Sequence, residues 1–162
     1  MANAGDPYGG IEIRGPEREE IIRSIARQAA AWGVKIPEVP CHPFHFGLDD
    51  FTRIGETEFW IANEVDAGYC AKLMFVFTDQ ECPYHHHRVK HETFLVLKGS
   101  TRMVVNGKKL TMTAGGVLPV PPGTWHSFTG DRGACLLLEV STPSVAGDSF
   151  FEDTRIGSAG TI

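Results

Sequence analysis

Residues 83–99 read Pro83-Tyr84-His85-His86-His87-Arg88-Val89-Lys90-His91-Glu92-Thr93-Phe94-Leu95-Val96-Leu97-Lys98-Gly99, and the reading of the whole chain turns on them. Their ligand-type residues follow the pattern H-x-H-x4-E-x6-G. Side chains two apart in a strand share a face, so His85 and His87 converge while His86 points away. Glu92 opens the next strand. Farther on, Gly115-Gly-Val-Leu-Pro-Val-Pro-Pro-Gly-Thr-Trp-His-Ser-Phe128 sets His126 just past a Pro-Pro-Gly turn, at the start of another strand. His85, His87, Glu92 and His126 thus form a candidate metal site, with His86 as the substitute for His85 or His87. Imidazole and carboxylate together suit Mn, Fe, Ni, Co or Zn and leave about two positions of a six-coordinate ion open to a substrate. The scattered His42, His45 and His91 read as surface or structural histidines.

The surrounding sequence is strand-rich. Short β-like runs cover Phe59–Ala62, Cys70–Thr78, Thr93–Lys98, Thr101–Val105, Lys108–Thr113, Val117–Val120, Trp125–Thr129 and Ala134–Ser141, a spacing that predicts a sandwich or barrel. Asn106-Gly107 between two runs predicts a two-residue hairpin of type I′, whose central positions both need positive φ. Upstream, Pro16-Glu-Arg-Glu-Glu20 starts a helix. Ile21, Ile22, Ile25, Ala26, Ala29 and Trp32 make its apolar stripe, and Gly33 ends it. The predicted organisation is a flexible arm over 1–15, a helix and Pro-rich connector over 16–57, a barrel over 58–145 and a tail over 146–162 that frays unless it packs back.

Composition bounds the function. The 162 residues are 42% hydrophobic with a formal charge of −5, which is one ordinary domain with enough apolar material for its own core. Arg14, Arg18, Arg23 and Arg27 are interleaved with Glu12, Glu17, Glu19 and Glu20, so they make a solvated face rather than a nucleic-acid surface. Four scattered cysteines without a C-x-x-C pair, and a polar N-terminus, imply a reducing cytoplasmic compartment. The longest apolar run, Leu73–Phe77, is too short for a membrane, which needs roughly 20 residues.

The two histidine segments resemble the paired motifs of the cupin superfamily: H-x-H-x4-E-x6-G from His85 to Gly99 and G-x5-P-x-G-x2-H from Gly115 to His126. Gly130 stands where the second motif often has asparagine. The resemblance implies an all-β jelly-roll barrel with the four side chains inside on a divalent metal, here preceded by an α-helix. A narrower likeness runs through Tyr69-Cys-Ala-Lys72, Pro83 to Glu92, Pro121 to Phe128 and Glu139-Val-Ser141, and covers roughly Glu20 to Gly157. It is similar to D-lyxose isomerases, small cupins that interconvert aldoses and ketoses such as D-lyxose and D-xylulose, typically with manganese. That family commonly continues after the motif glutamate with an acidic residue and Asn-Arg-Gly-Gly-Gly, whereas Glu92 is followed by the generic cupin run to Gly99. The departure leaves the sugar open.

Aldose–ketose isomerisation moves a proton between adjacent carbons and needs an electrophile on the two oxygens and a base beside the carbon. Glu139, in the apolar run Leu136–Val140, is the candidate base. It shares parity with Leu137, so either it faces a polar interior or one of the pair breaks the alternation. Lys72, within Ala71–Phe77, either enters a wet cavity or buries its stem with its ammonium in solvent. Lys90 matches a family lysine but lies in the turn between ligands, where it either serves the site or is simply exposed, and ranks below Lys72. Tyr84, Phe75, Phe94 and Trp125 flank these positions as pocket or core aromatics. Asp148 and Arg155 are placed by nothing in the sequence. The predicted function is a metal-dependent isomerase of a small free sugar in a homodimer. A non-haem Fe(II) dioxygenase and a non-catalytic metal- or sugar-binding cupin stand as alternatives.

Overall fold

Pro16 in the first turn and Glu17 near the positive end of the dipole start helix α1, Gly15–Ala31. Gly33, at φ 68°, carries the chain out of it. The computed structural model describes Tyr8 and residues 10–162. The buried stripe of α1 is narrower than the sequence reading: Ile21, Ile25 and Ala29 are buried, Ile22 is half-buried and Ala26 is exposed.

Eleven strands follow among the described residues: β1 Cys41–Phe44, β2 Glu56–Glu64, β3 Tyr69–Val76, β4 Glu81–His87, β5 Glu92–Lys98, β6 Ser100–Val105, β7 Lys108–Thr113, β8 Val117–Val120, β9 His126–Gly130, β10 Cys135–Ser141 and β11 Ser149–Phe151. They form two sheets, ordered β1-β2-β3-β10-β5-β8 and β11-β4-β9-β6-β7. All named strand pairs are antiparallel, so this is the predicted mainly-β jelly-roll barrel with one helix outside it. The Asn106-Gly107 hairpin joins β6 to β7 with both residues at positive φ, 47° and 76°.

Several predicted boundaries move. Residues 1–7 and 9 of the expected arm lie outside the described residues, but Ile11 and Ile13 are buried and pair with β1: Ile13 N–H donates to Pro43 C=O (2.8 Å) and His45 N–H to Ile11 C=O (2.9 Å). This segment covers the open edge of the larger sheet. The Pro-rich connector contains β1, where Pro43 is tolerated because an edge strand needs fewer donors. At the other end the tail packs back. β11 pairs with β4, and Phe151 and Ile156 are buried.

Two apolar clusters result. One fills the barrel with Met74, Val76, Val96, Met103, Phe128 and Leu137. The other lies between α1 and the outside of the larger sheet, and holds Ile21, Ile25, Phe59, Leu73, Phe75 and Leu136. Gly130 belongs where it is because a Cβ there would sit 2.2 Å from Phe77 O. The four cysteines are buried free thiols. No helix among the described residues is long and apolar enough to cross a membrane.

Candidate active site

Beyond the apolar filling the barrel opens into a cavity of about 1050 Å³. His85 and His126 are register partners on β4 and β9, and His87 follows two residues along β4. Their ring centroids lie 4.3 Å apart for His85–His126 and 5.0 Å for His85–His87. Each ring meets a backbone carbonyl through Nδ1: Pro83 O for His85 (2.7 Å), Asp148 O for His87 (2.9 Å) and Thr124 O for His126 (3.0 Å). A carbonyl only accepts, so Nδ1 carries a proton in all three and Nε2 is the nitrogen left for a metal. Burial, reinforced by His126 and His87, pushes the His85 imidazole well below the usual histidine range, so that ring is neutral. His86 points to the other face, stacked on Phe150.

Glu92 reaches the same point from the opposite sheet, with Oε1 3.3 Å from His87 Nε2 and Oε2 3.2 Å from His126 Nε2. The three histidines have ligand atoms within 4.8 Å of one another, and His126 Nε2 and Glu92 Oε2 are buried with no hydrogen-bond partner. Converging buried polar atoms without a partner are costly unless a cation satisfies them. The donor set therefore fits a divalent metal, which His85, His87, His126 and Glu92 could hold.

Lys90 is the largest change from the sequence reading. Far from lying exposed in its turn, it is buried, with Nζ 2.8 Å from Glu92 Oε1 and 2.5 Å from Glu139 Oε1. The turn is drawn inward by Asp148, whose carboxylate accepts the backbone N–H groups of Arg88, Val89 and Lys90 at 2.9–3.2 Å. Burial opposes the charge on Lys90, but Glu139 and Glu92 outweigh it and raise the ammonium above the ordinary lysine range. The reverse holds for the acids. Burial opposes ionisation of Glu92 and Glu139, yet Lys90 together with His126 and His87 holds Glu92 well below the usual range, and Lys90 together with Lys72 holds Glu139 below it.

Glu139 faces the cavity, with Ser141 Oγ donating to its Oε1 (2.8 Å). Neither Glu139 nor Leu137 breaks the alternation. Both point into the barrel, Leu137 into its apolar part and Glu139 into its polar part, while Leu136 and Leu138 face α1. Lys72 also lines the cavity, and its Nζ donates to Glu58 Oε1 (3.1 Å).

Of the four aromatics, Phe94 alone lines the cavity, 5.8 Å from the His126 ring. Phe75 has the opposite parity to Lys72 and packs under α1. Tyr84 and Trp125 each adjoin an inward histidine and therefore point outward; they stack at 5.3 Å, and Tyr84 Oη accepts Gly107 N–H. Arg155 is exposed and pairs with Asp153. The sequence reading missed Glu56, Glu58 and Trp60, which line the cavity from β2, and the role of Asp148. Alternating acids in a strand read as a solvent face, and Asp148 acts on a turn 58 residues away.

The family model for D-lyxose isomerase matches residues 18–105, and that for the cupin domain matches residues 74–141. The chain belongs to the D-lyxose isomerase family. Among family relatives, it is similar to the D-lyxose ketol-isomerase of Cohnella laeviribosi, 27% identical over 115 residues that cover 54% of this chain and 63% of that protein. The chain thus spans less than two thirds of that relative's length. The D-lyxose/D-mannose isomerase of Thermosediminibacter oceani is 26% identical over 138 residues, covering 68% of this chain and 75% of the other. Solved folds of the same kind include Cellulomonas parahominis L-ribose isomerase with L-ribose, at TM-score 0.73 and 17% identity over 93% of this chain and 97% of that one. The L-ribose isomerase of Acinetobacter sp. DL28 in complex with L-ribose superposes at TM-score 0.66 and 18% identity, covering 83% of each chain.

Proposed function

We propose that this protein is a metal-dependent aldose–ketose isomerase of a small free sugar of the D-lyxose or D-mannose type. One observation carries the reading: Glu92 and Glu139 share Lys90 at 2.8 and 2.5 Å inside a cavity that His85 and His87 line, with His126 beside them across β4 and β9. The family relationship supports it, and it carries manganese as the first cation to test and a cytoplasmic homodimer as the setting.

A divalent cation held by His85, His87, His126 and Glu92 would supply an electrophile for the oxygens at C1 and C2. Proton transfer falls to Glu139. Its carboxylate is ionised, oriented by Ser141 and closed off from bulk water, so it can take the C2 proton and return it to C1 as general base and then acid. Lys90 spends two N–H groups on Glu139 and Glu92 and keeps a third for the substrate oxygen that gains charge in the enediolate. Lys72 adds a second positive charge near Glu139. The three neighbours of Glu139 thus set its charge and its aim.

The test is an anaerobic assay of manganese-loaded protein with D-lyxose, D-mannose and other free aldoses, following by NMR the exchange of the C2 hydrogen with deuterated water. Ketose formation with exchange, lost on chelation and restored by Mn(II), is expected. Silence across the panel, or turnover that needs oxygen, overturns the reading.

A further inference from the structure

On the β2–β3 side of the cavity, away from the strands that carry the histidines, Lys72 joins a second polar cluster whose acids, Glu56 and Glu58, take no part in the proton transfer just described. Glu58 is fully engaged: Lys72 Nζ donates to Oε1 (3.1 Å) and Trp60 Nε1 to Oε2 (2.7 Å), and Lys72 in turn lies 4.2 Å from the centre of the Trp60 ring. Glu56, two residues back on the same face, is not. It is 4% exposed, lines the cavity, and its Oε2 is buried with no hydrogen-bond partner.

A buried carboxyl oxygen left unpaired costs as much as a lost hydrogen bond; of its neighbours, Met74 and Phe44 offer nothing and the Cys82 thiol is only a weak donor, which leaves Oε2 without a partner. The missing partner must come from the cavity. Burial and then the Glu58 charge raise the Glu56 carboxyl well above the usual range, so it presents both an O–H donor and a carbonyl acceptor. Beside it stands an ionised carboxylate edge. Hydroxyl groups, which donate and accept at once, complement that pair. A phosphate ester does not: among the described lining residues the cations are Lys72 and Lys90, both already on carboxylates, and a dianion would meet Glu58 at close range.

We propose that Glu56 and Glu58 form the subsite for the hydroxylated chain end of the sugar remote from the histidines, and that this subsite selects free sugars over their terminal phosphates. The proposal deepens the isomerase reading and rests on it only for which end of the ligand reacts.

Linear pentitols and hexitols, which have no carbonyl and cannot be turned over, test the binding by calorimetry on the manganese-loaded protein. Wild type should bind them, Glu56→Leu should bind about tenfold more weakly or worse, and Glu56→Gln, which keeps a donor and an acceptor, should stay within about threefold. In the exchange assay, wild type should prefer a free aldose over its terminal phosphate by about 100-fold or more in kcat/KM, and Glu58→Gln should narrow that ratio. Equal polyol affinity in wild type and Glu56→Leu, or equal turnover of sugar and sugar phosphate, overturns the proposal. Should Glu56→Leu fail to fold, the phosphate ratio in wild type and Glu58→Gln decides. Polyol binding that depends on Glu56 in a protein that never exchanges C2 hydrogen sinks the isomerase reading and keeps the subsite; exchange with binding indifferent to Glu56 does the reverse.

Discussion

On one face of β3 and β10, Leu73, Phe75, Leu136 and Leu138 pack beneath α1; on the other, Lys72 and Glu139 stand in register beside Met74 and Leu137 and look into the barrel. Both faces are shielded from bulk solvent. Yet the helix-covered face holds itself by volume and contact alone, while the inner face holds ionised groups that are tolerable only because each has a partner. Removing a methylene from the first leaves a hole. Neutralising a charge on the second unbalances its neighbours and alters chemistry, so stability and function should separate along the two sides of the same strands.

The sharpest attack on that contrast is Glu139→Gln, which keeps the shape of the side chain and deletes its base. It should cut kcat by about 10²–10⁴-fold while manganese content, by elemental analysis, stays at the wild-type level. An undiminished rate of C2 exchange would remove Glu139 from the mechanism. His126→Ala should do the opposite, weakening metal affinity by about 100-fold or more in a chelator competition, because a buried donor is lost from the cluster. On the other face, Ile25→Ala, at a site 0% exposed, should cost about 2–5 kcal/mol in denaturant unfolding and leave KM unchanged in the folded fraction. A large KM change there would show that the faces are coupled.

The smallest effect is a matter of pH. Glu56 titrates above its ordinary value of 4.5 in the folded protein, so the folded state holds a proton that the unfolded state releases. The stability it contributes is full below that ordinary value and is lost as pH rises toward the folded one. Glu56→Gln has no such loss. The variant's Tm should therefore gain on wild type progressively as pH rises above about 5 in metal-free protein. A constant difference would mean that Glu56 is ionised throughout.

Much of this was legible in the residues because strand parity is local. His85 and His87 on one face with His86 on the other, Lys72 with Met74 and Val76, and the Asn106-Gly107 hairpin all follow from a period of two or from a single turn. The misplaced aromatics were equally readable: Tyr84 and Trp125 adjoin inward histidines and had to face out, and Phe75 has the parity of Leu73. Glu56 and Glu58 were hidden because alternating acids ordinarily mark a solvent face, and only the closure of β2 into the barrel turns that face inward.

By itself, then, the sequence determined the barrel, its outer helix and the histidine–glutamate set, since these rest on short-range periodicity and spacing. The tertiary structure alone decided that Lys90 lies between Glu92 and Glu139, that Asp148 draws in the turn carrying it, and that the tail closes onto β4. The physical reason is that the energy of a buried charge belongs to its partner as much as to itself. Where that partner comes from another strand or a turn 58 residues away, only folding brings the two together.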